Sequence, residues 1–334
     1  MRIRCLTLLH LSLVLVLLVP AVAVGQGADW ELPRTADGHP DLQGVWANNN
    51  ATPLERPPEW ADKATLTAEE LAELQNAATE AVDEGDALFG DQLVLAAIKK
   101  TQAESYDPST GNYNQFWIAD RDFNNRTSLV IEPADGRIPP MTTSGQARRR
   151  MVSEYRGEHP ADSYTDRPLS ERCVTYGHPR LGAGYNSYYQ VFQSRDHVVI
   201  YMEMNHDARV IPIDGTPLLD DNVRLWHGDS RGYWDGDTLV VETRNYSSQA
   251  TFRGLTSENL LVTERLTRVS PQTLNYEVTI DDPTTYTKPW TVMIPLMGTT
   301  DAVYEYACHE GNIGMDGILA GHRAEEREAE AGSE

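Results

Sequence analysis

Cysteine is scarce, with three residues in 334. That excludes a disulfide-dense small scaffold and a four-cysteine zinc site. Basic residues are outnumbered: 28 Lys and Arg stand against 50 Asp and Glu, and the formal net charge is -22. Such a surface cannot displace counterions from nucleic-acid phosphates, and anionic lipid repels it. The sequence has no Gly-x-Gly-x-x-Gly turn, no phosphate loop, no His-x-His and no His-Glu-x-x-His, and Ser230 within Gly228-Asp229-Ser230-Arg231-Gly232 reads as a turn residue rather than a nucleophile elbow. Nucleotide, serine-nucleophile and helical zinc chemistry are therefore not signalled, and no cofactor or metal is expected. Beyond residue 23 no apolar run approaches the ~20 residues of a spanning helix, so no membrane span is expected. What is present is 40% hydrophobic residues in a chain long enough for one or two domains and a sizeable core.

Met1-Arg2-Ile3-Arg4 precedes an apolar run from Cys5 to Val19, then Pro20 and Ala21-Val22-Ala23. A positive start, a short apolar stretch and a small-x-small exit predict a secretory signal peptide over residues 1–23, cleaved near Ala23. The mature chain is expected to be exported, periplasmic or secreted, and Cys5 leaves with the leader. Cys173 and Cys308 remain, an even number in an oxidising compartment, and predict one disulfide. The alternative is a reactive thiol, Cys173 near His178 or Cys308 beside His309.

Residues 24–105 are expected to form an N-terminal extension with a first strand near Asp41–Trp46 and two helices. Thr67-Ala68-Glu69-Glu70 reads as a capping box opening a helix over 68–83, with Leu71, Leu74 and Ala78 at helical spacing. A second helix is predicted over 86–102. Residues 106–322 turn to period two and predict an antiparallel β domain. Expected strands include 128–132, 185–194, 197–204, 208–213, 232–234, 238–243, 261–269, 273–280, 290–296 and 303–308. A short helix over 143–156 carries Arg148, Arg149 and Arg150, expected to pair with nearby acids. Short connections force antiparallel neighbours, so the fold class is mainly β: an antiparallel barrel or a sandwich. Asp235-Gly236 predicts a hairpin turn of type I′. In 273–280, Leu274, Tyr276, Val278 and Ile280 share one face and predict a half-buried strand. In 261–269 the apolar phase slips between Leu261 and Leu266, which predicts a bulge. The tail, 323–334, is expected to be disordered.

The block Gly228-Asp229-Ser230-Arg231-Gly232-Tyr233-Trp234-Asp235-Gly236-Asp237-Thr238-Leu239-Val240-Val241-Glu242-Thr243 resembles one found in a large group of uncharacterised exported bacterial proteins. So do Glu171-Arg172-Cys173, Asn205-His206-Asp207-Ala208-Arg209 with Asp214-Gly215, and Tyr304-Glu305-Tyr306-Ala307-Cys308-His309-Glu310-Gly311-Asn312. The resemblance carries no established reaction. Gly44-Val45-Trp46 also resembles the Gly-x-Trp of lipocalin-type barrels, which would fit a closed sheet of this strand number.

Two functional readings follow. Tyr188, Tyr201, Trp234 and Tyr276, with His227 and Arg231, supply apolar faces and polar tips suited to a small hydrophobic or aromatic ligand, and binding ranks first. The alternative is a cofactor-free enzyme for proton transfer or hydrolysis. It would use His206 with Asp207 or Glu203, and Arg209, at a barrel mouth, because imidazole titrates near neutrality and guanidinium holds an oxyanion. His178, His206, His227 and His309 are the imidazoles that the fold could bring together. The oligomeric state is not legible.

Overall fold

In the computed structural model the period-two region becomes one ten-stranded antiparallel sheet. The structure describes residues 30–81, 91–100, 120–256 and 258–332. The expected leader, Cys5 and parts of the predicted 68–83 and 86–102 helices lie outside them. The strands are β1 (Gly44–Ala47), β2 (Val130–Glu132), β3 (Tyr188–Gln193), β4 (His197–Met202), β5 (Ala208–Pro212), β6 (Asp229–Asp235) and β7 (Thr238–Arg244). A two-residue hairpin, β8 (Thr251–Phe252) with β9 (Leu255–Thr256), stands apart from the sheet, and β10 (Leu261–Ser270), β11 (Thr273–Asp281) and β12 (Trp290–Thr299) complete the series. The helices are α1 (Ala68–Ala81), α2 (Gln92–Lys99), α3 (Thr143–Glu158) and α4 (Ile313–Gly332). All of these elements belong to one unit, Leu32–Glu334.

The sheet order is β5-β4-β3-β1-β12-β11-β10-β7-β6, with β2 on β12. Thus the early strand β1 lies between β3 and β12, deep in the sheet. The two ends of the sheet approach each other without a ladder between them. A Cβ on Gly232 of β6 would come within 2.8 Å of Ile213 and 3.2 Å of Ile211, just after and within β5. The sheet is therefore rolled but open, sandwich-like in its packing, and the barrel closure expected from the strand count is not made by hydrogen bonds.

Local rules account for the elements. At the start of α1, Thr67 N–H donates to Glu70 Oε2 at 2.9 Å and Glu70 N–H to Thr67 Oγ1 at 3.3 Å, the reciprocal capping box. Leu74 and Ala78 of α1 bury against Leu93, Val94 and Ala97 of α2. In β11, Leu274, Tyr276, Val278 and Ile280 all face inward, as the alternation predicts. The β6–β7 turn is Gly236-Asp237, with Asp235 paired to Thr238 and only Gly236 at positive φ. That is the type II′ pattern rather than I′. In α3, Arg148 donates to the Thr284 carbonyl at 3.2 Å and to Thr285 Oγ1 at 2.7 Å, not to an acid.

Two expectations are corrected. Residues 303–308 form no strand. Their backbone is met by side chains instead: Tyr304 N–H reaches Glu203 Oε1 at 3.4 Å, and His206 Nδ1 donates to the Tyr306 carbonyl at 3.0 Å. After His322 the chain is helical to Gly332, not disordered. Alanine and glutamate are good helix formers, and Arg323 anchors the helix by donating to the Asp162 carbonyl at 3.0 Å.

Candidate functional site

The expected phase slip in β10 has another cause. Val262, Glu264 and Leu266 alternate regularly onto the inner face, and the inward residue that looked missing is Glu264, fully buried. The register shift of β10 comes later, between Arg268 and Ser270. A carboxylate inside an apolar sheet needs partners. Arg209 of β5 provides two, Nη1 and Nη2 donating to the two Glu264 oxygens at 2.7 Å each. Tyr276 Oη–H of β11 donates to Glu264 Oε1 at 2.7 Å. His178 Nε2 lies 3.3 Å from Glu264 Oε2, at an angle too oblique for a well-formed hydrogen bond. Its Nδ1 is 2.8 Å from Tyr246 Oη.

The electrostatics of this cluster are one-sided. Burial pushes the Glu264 pKa up, but the Arg209 guanidinium, with His178 behind it, wins and holds it below the usual carboxylate range. Burial would lower the Arg209 pKa, but Glu264 raises it above the ordinary guanidinium value. Burial, then the facing Arg209, lowers His178 to about 4, so the ring is neutral at pH 7. With Glu264 ionised, the neighbours assign the proton to Nε2, leaving Nδ1 to accept from Tyr246. Three hydrogen bonds thus meet the carboxylate, and the His178 ring stands beside Oε2 at 3.3 Å. The nearby apolar void among Tyr189, Val191, Ile200, Leu266, Leu274, Tyr276 and Leu296 holds about 10 Å³, space for one water at most and far too little for an organic ligand.

A second cluster lies nearer the surface. Asp207 Oδ2 accepts from Thr175 Oγ1 at 2.8 Å and from Tyr176 N–H at 3.1 Å, and it lies 3.4 Å from His227 Nε2. Thr175 Oγ1 also accepts from Gly177 N–H at 2.8 Å and contacts His227 Nε2. A threonine so fully engaged is held as a turn residue, and Asp207 with His227 forms the polar pair. Beside them is a recess of about 60 Å³ lined by Thr175, Tyr176, His178, Trp226 and their neighbours. It shares Pro168, Leu169 and Thr251 with a larger cleft of about 580 Å³ between α3, the 165–172 segment and the β8–β9 hairpin. Met151, Val152, Tyr155, Arg156, Leu169 and Arg172 are among its walls. Among the described residues, neither Arg156 nor Arg172 is ion-paired; Arg172 instead covers the Tyr164 ring at 5.2 Å. Cys173 and Cys308, joined as a disulfide with Cα atoms 5.6 Å apart, fix the chain just before Thr175.

The structure disperses the sequence-derived candidates. His206 is exposed and turned to Tyr306, with the His309 ring 6.2 Å away. Asp207 goes to Thr175 and His227, and Arg209 goes inward to Glu264. Glu203 is buried and burial raises its pKa. Its carboxylate meets the Tyr304 amide at 3.4 Å, with the Tyr188 backbone and the Asn186 side chain also opposing that shift. The grouping His206–Asp207–Arg209 is therefore not one site, whereas Asp207 and His227 do meet. Among the ligand candidates, Arg231 pairs with Asp229 and donates to the Pro217 carbonyl at 2.7 Å. Trp234 stacks on His39 at 5.0 Å, Tyr188 lies 3.4 Å from Asp301, and Tyr201 is half-buried on β4. Tyr276 alone of these is in the buried cluster. Glu264, Thr175 and Tyr246 were missed. The parity of Val262, Glu264 and Leu266 was the signal for the first, and nothing local marks the others. No family model, curated protein or solved structure matches the chain.

Proposed function

We propose that this is an exported protein that binds a small molecule with an aromatic or apolar body and an anionic group, seated in the cleft beside α3 rather than inside the sheet. The observation that carries the reading is a cleft of about 580 Å³, within the usual range for ligands, that joins apolar walls to two arginines with no acidic partner among the described residues. On a chain of net charge -22 such arginines are out of character. Met151 and Tyr155, 59% and 52% exposed, leave apolar surface for a ligand to cover. Tyr155 is already oriented, its hydroxyl donating to Asp166 at 2.9 Å.

The test is a fluorescence titration with anilinonaphthalene sulfonate, an aromatic body carrying one anion. Saturable binding to the native chain, weakened about tenfold by Arg156→Gln and by Tyr155→Ala, supports the reading. No binding, or binding indifferent to both substitutions, overturns it. A second reading, acid–base chemistry on such a ligand by His227 with Asp207, draws on their 3.4 Å approach beside the adjoining recess. It requires turnover that disappears in His227→Gln while dye binding persists.

A further inference from the structure

Among residues that do not line that cleft, His322 and Glu326 stand four residues apart on α4, so their side chains share one face of the helix. Asp162, in the turn after α3, faces them. His322 Nε2 is 3.1 Å from Asp162 Oδ1 and 3.6 Å from Glu326 Oε1. One donor atom from each of the three residues lies within 4.8 Å of the other two. Four ligands held about 2.0–2.1 Å from a zinc ion stand about 3.3 Å apart along the tetrahedron's edges. Two of the three separations already match that spacing. His159 Nδ1, 2.7 Å from Asp162 Oδ2, occupies the other carboxylate oxygen and turns Oδ1 towards the helix. Metal-binding carboxylates are commonly oriented in this way.

We propose that Asp162, His322 and Glu326 bind one divalent transition-metal cation of the zinc type, with water at the remaining position. One imidazole with two carboxylates suits such a borderline ion. Calcium takes six to eight oxygens, and magnesium keeps most of its waters. The ion clamps α4 to the turn after α3. None of α4's described residues is buried, so apolar packing gives the helix little hold of its own. Glu326 is the weakest of the three ligands, because Arg323 Nη2 donates to the same Oε1 at 2.9 Å and the ion must displace it there. The sequence separation of 160 between Asp162 and His322 explains why no local spacing in the sequence marks the site.

The experiment titrates the full chain, stripped of metal by a chelator, with Zn²⁺ in a calorimeter and follows amide exchange of α4. One saturable site per chain is expected. Affinity falls about tenfold or more in His322→Ala and in Asp162→Asn, and less in Glu326→Gln, while His197→Gln on β4 binds as the unmodified chain does. Zn²⁺ slows exchange across residues 313–332 in the unmodified chain and not in His322→Ala. These side chains are at the surface, and circular dichroism verifies that the variants fold. Three results overturn the proposal: no saturable binding, binding unchanged in both His322→Ala and Asp162→Asn, or α4 exchange unchanged at saturation.

Discussion

Glu264 is the residue on which the interior turns. It is fully buried, and its charge is met by Arg209, Tyr276 and His178. Removing one partner of a buried ion pair strands the other, so Glu264→Gln is expected to cost about 3–5 kcal/mol of unfolding free energy by urea denaturation. Replacing both, Arg209→Met with Glu264→Leu, is expected to cost less than the two single changes added together. His178 adds a pH dependence whose sign is fixed. Its folded pKa is about 4, and the unfolded imidazole titrates near 6.5. Between those values the unfolded chain binds a proton that the folded chain refuses. The contribution of His178 is therefore complete above pH 6.5 and is lost as the pH falls towards 4, about 3 kcal/mol at about 1.4 per pH unit. Glu264, held below its ordinary value, loses its own contribution at lower pH still. Stability measured from pH 7 to 4.5 should fall steeply in the native chain and less in His178→Gln; equal slopes would contradict this. The cluster was hidden in the sequence because an inward carboxylate looks like a break in an apolar period. Only the arginine brought across from β5 makes that position tenable.

At the scale of elements, legibility followed the range of the interactions involved. The capping box at Thr67 and Glu70, the β10–β11 hairpin and the inner face of β11 are set by residues a few positions apart, and they were readable. The 303–308 segment and α4 were misread, because distant groups decide them: Glu203 and His206 for the first, the turn at Asp162 for the second. The pairing of Cys173 with Cys308 was readable only by elimination, as the two thiols left after residue 23. That bridge closes a separation of 135 residues. By chain entropy its loss costs up to about 4–5 kcal/mol, with native strain subtracting from that figure. Replacing both cysteines by serine should lower the denaturant midpoint with little change in β-sheet circular dichroism. It should also loosen Thr175 and the recess beside it, seen as faster amide exchange over 174–178. Unchanged stability would mean that the bridge restrains nothing.

For the whole molecule, strand number and short turns made the large antiparallel sheet readable, but closure was not. Whether the edges join depends on β5 and β6, whose meeting at Ile211, Ile213 and Gly232 is side-chain packing between residues 19 or more apart. The site followed the same logic. Aromatics on the strands looked like pocket walls, yet Tyr276 serves the buried charge and Trp234 stacks on His39. The cleft beside α3 instead sets that helix against connecting segments that carry no periodic signal. The central claim is that ligand binding belongs to that cleft and not to the sheet interior. Its most direct test is nuclear magnetic resonance of the labelled chain titrated with anilinonaphthalene sulfonate. The account predicts saturable shifts at Met151, Val152, Tyr155, Leu169 and Arg172, with Val191, Leu266, Leu274 and Leu296 unmoved. Shifts centred on those four interior residues, with the α3 set silent, would contradict it.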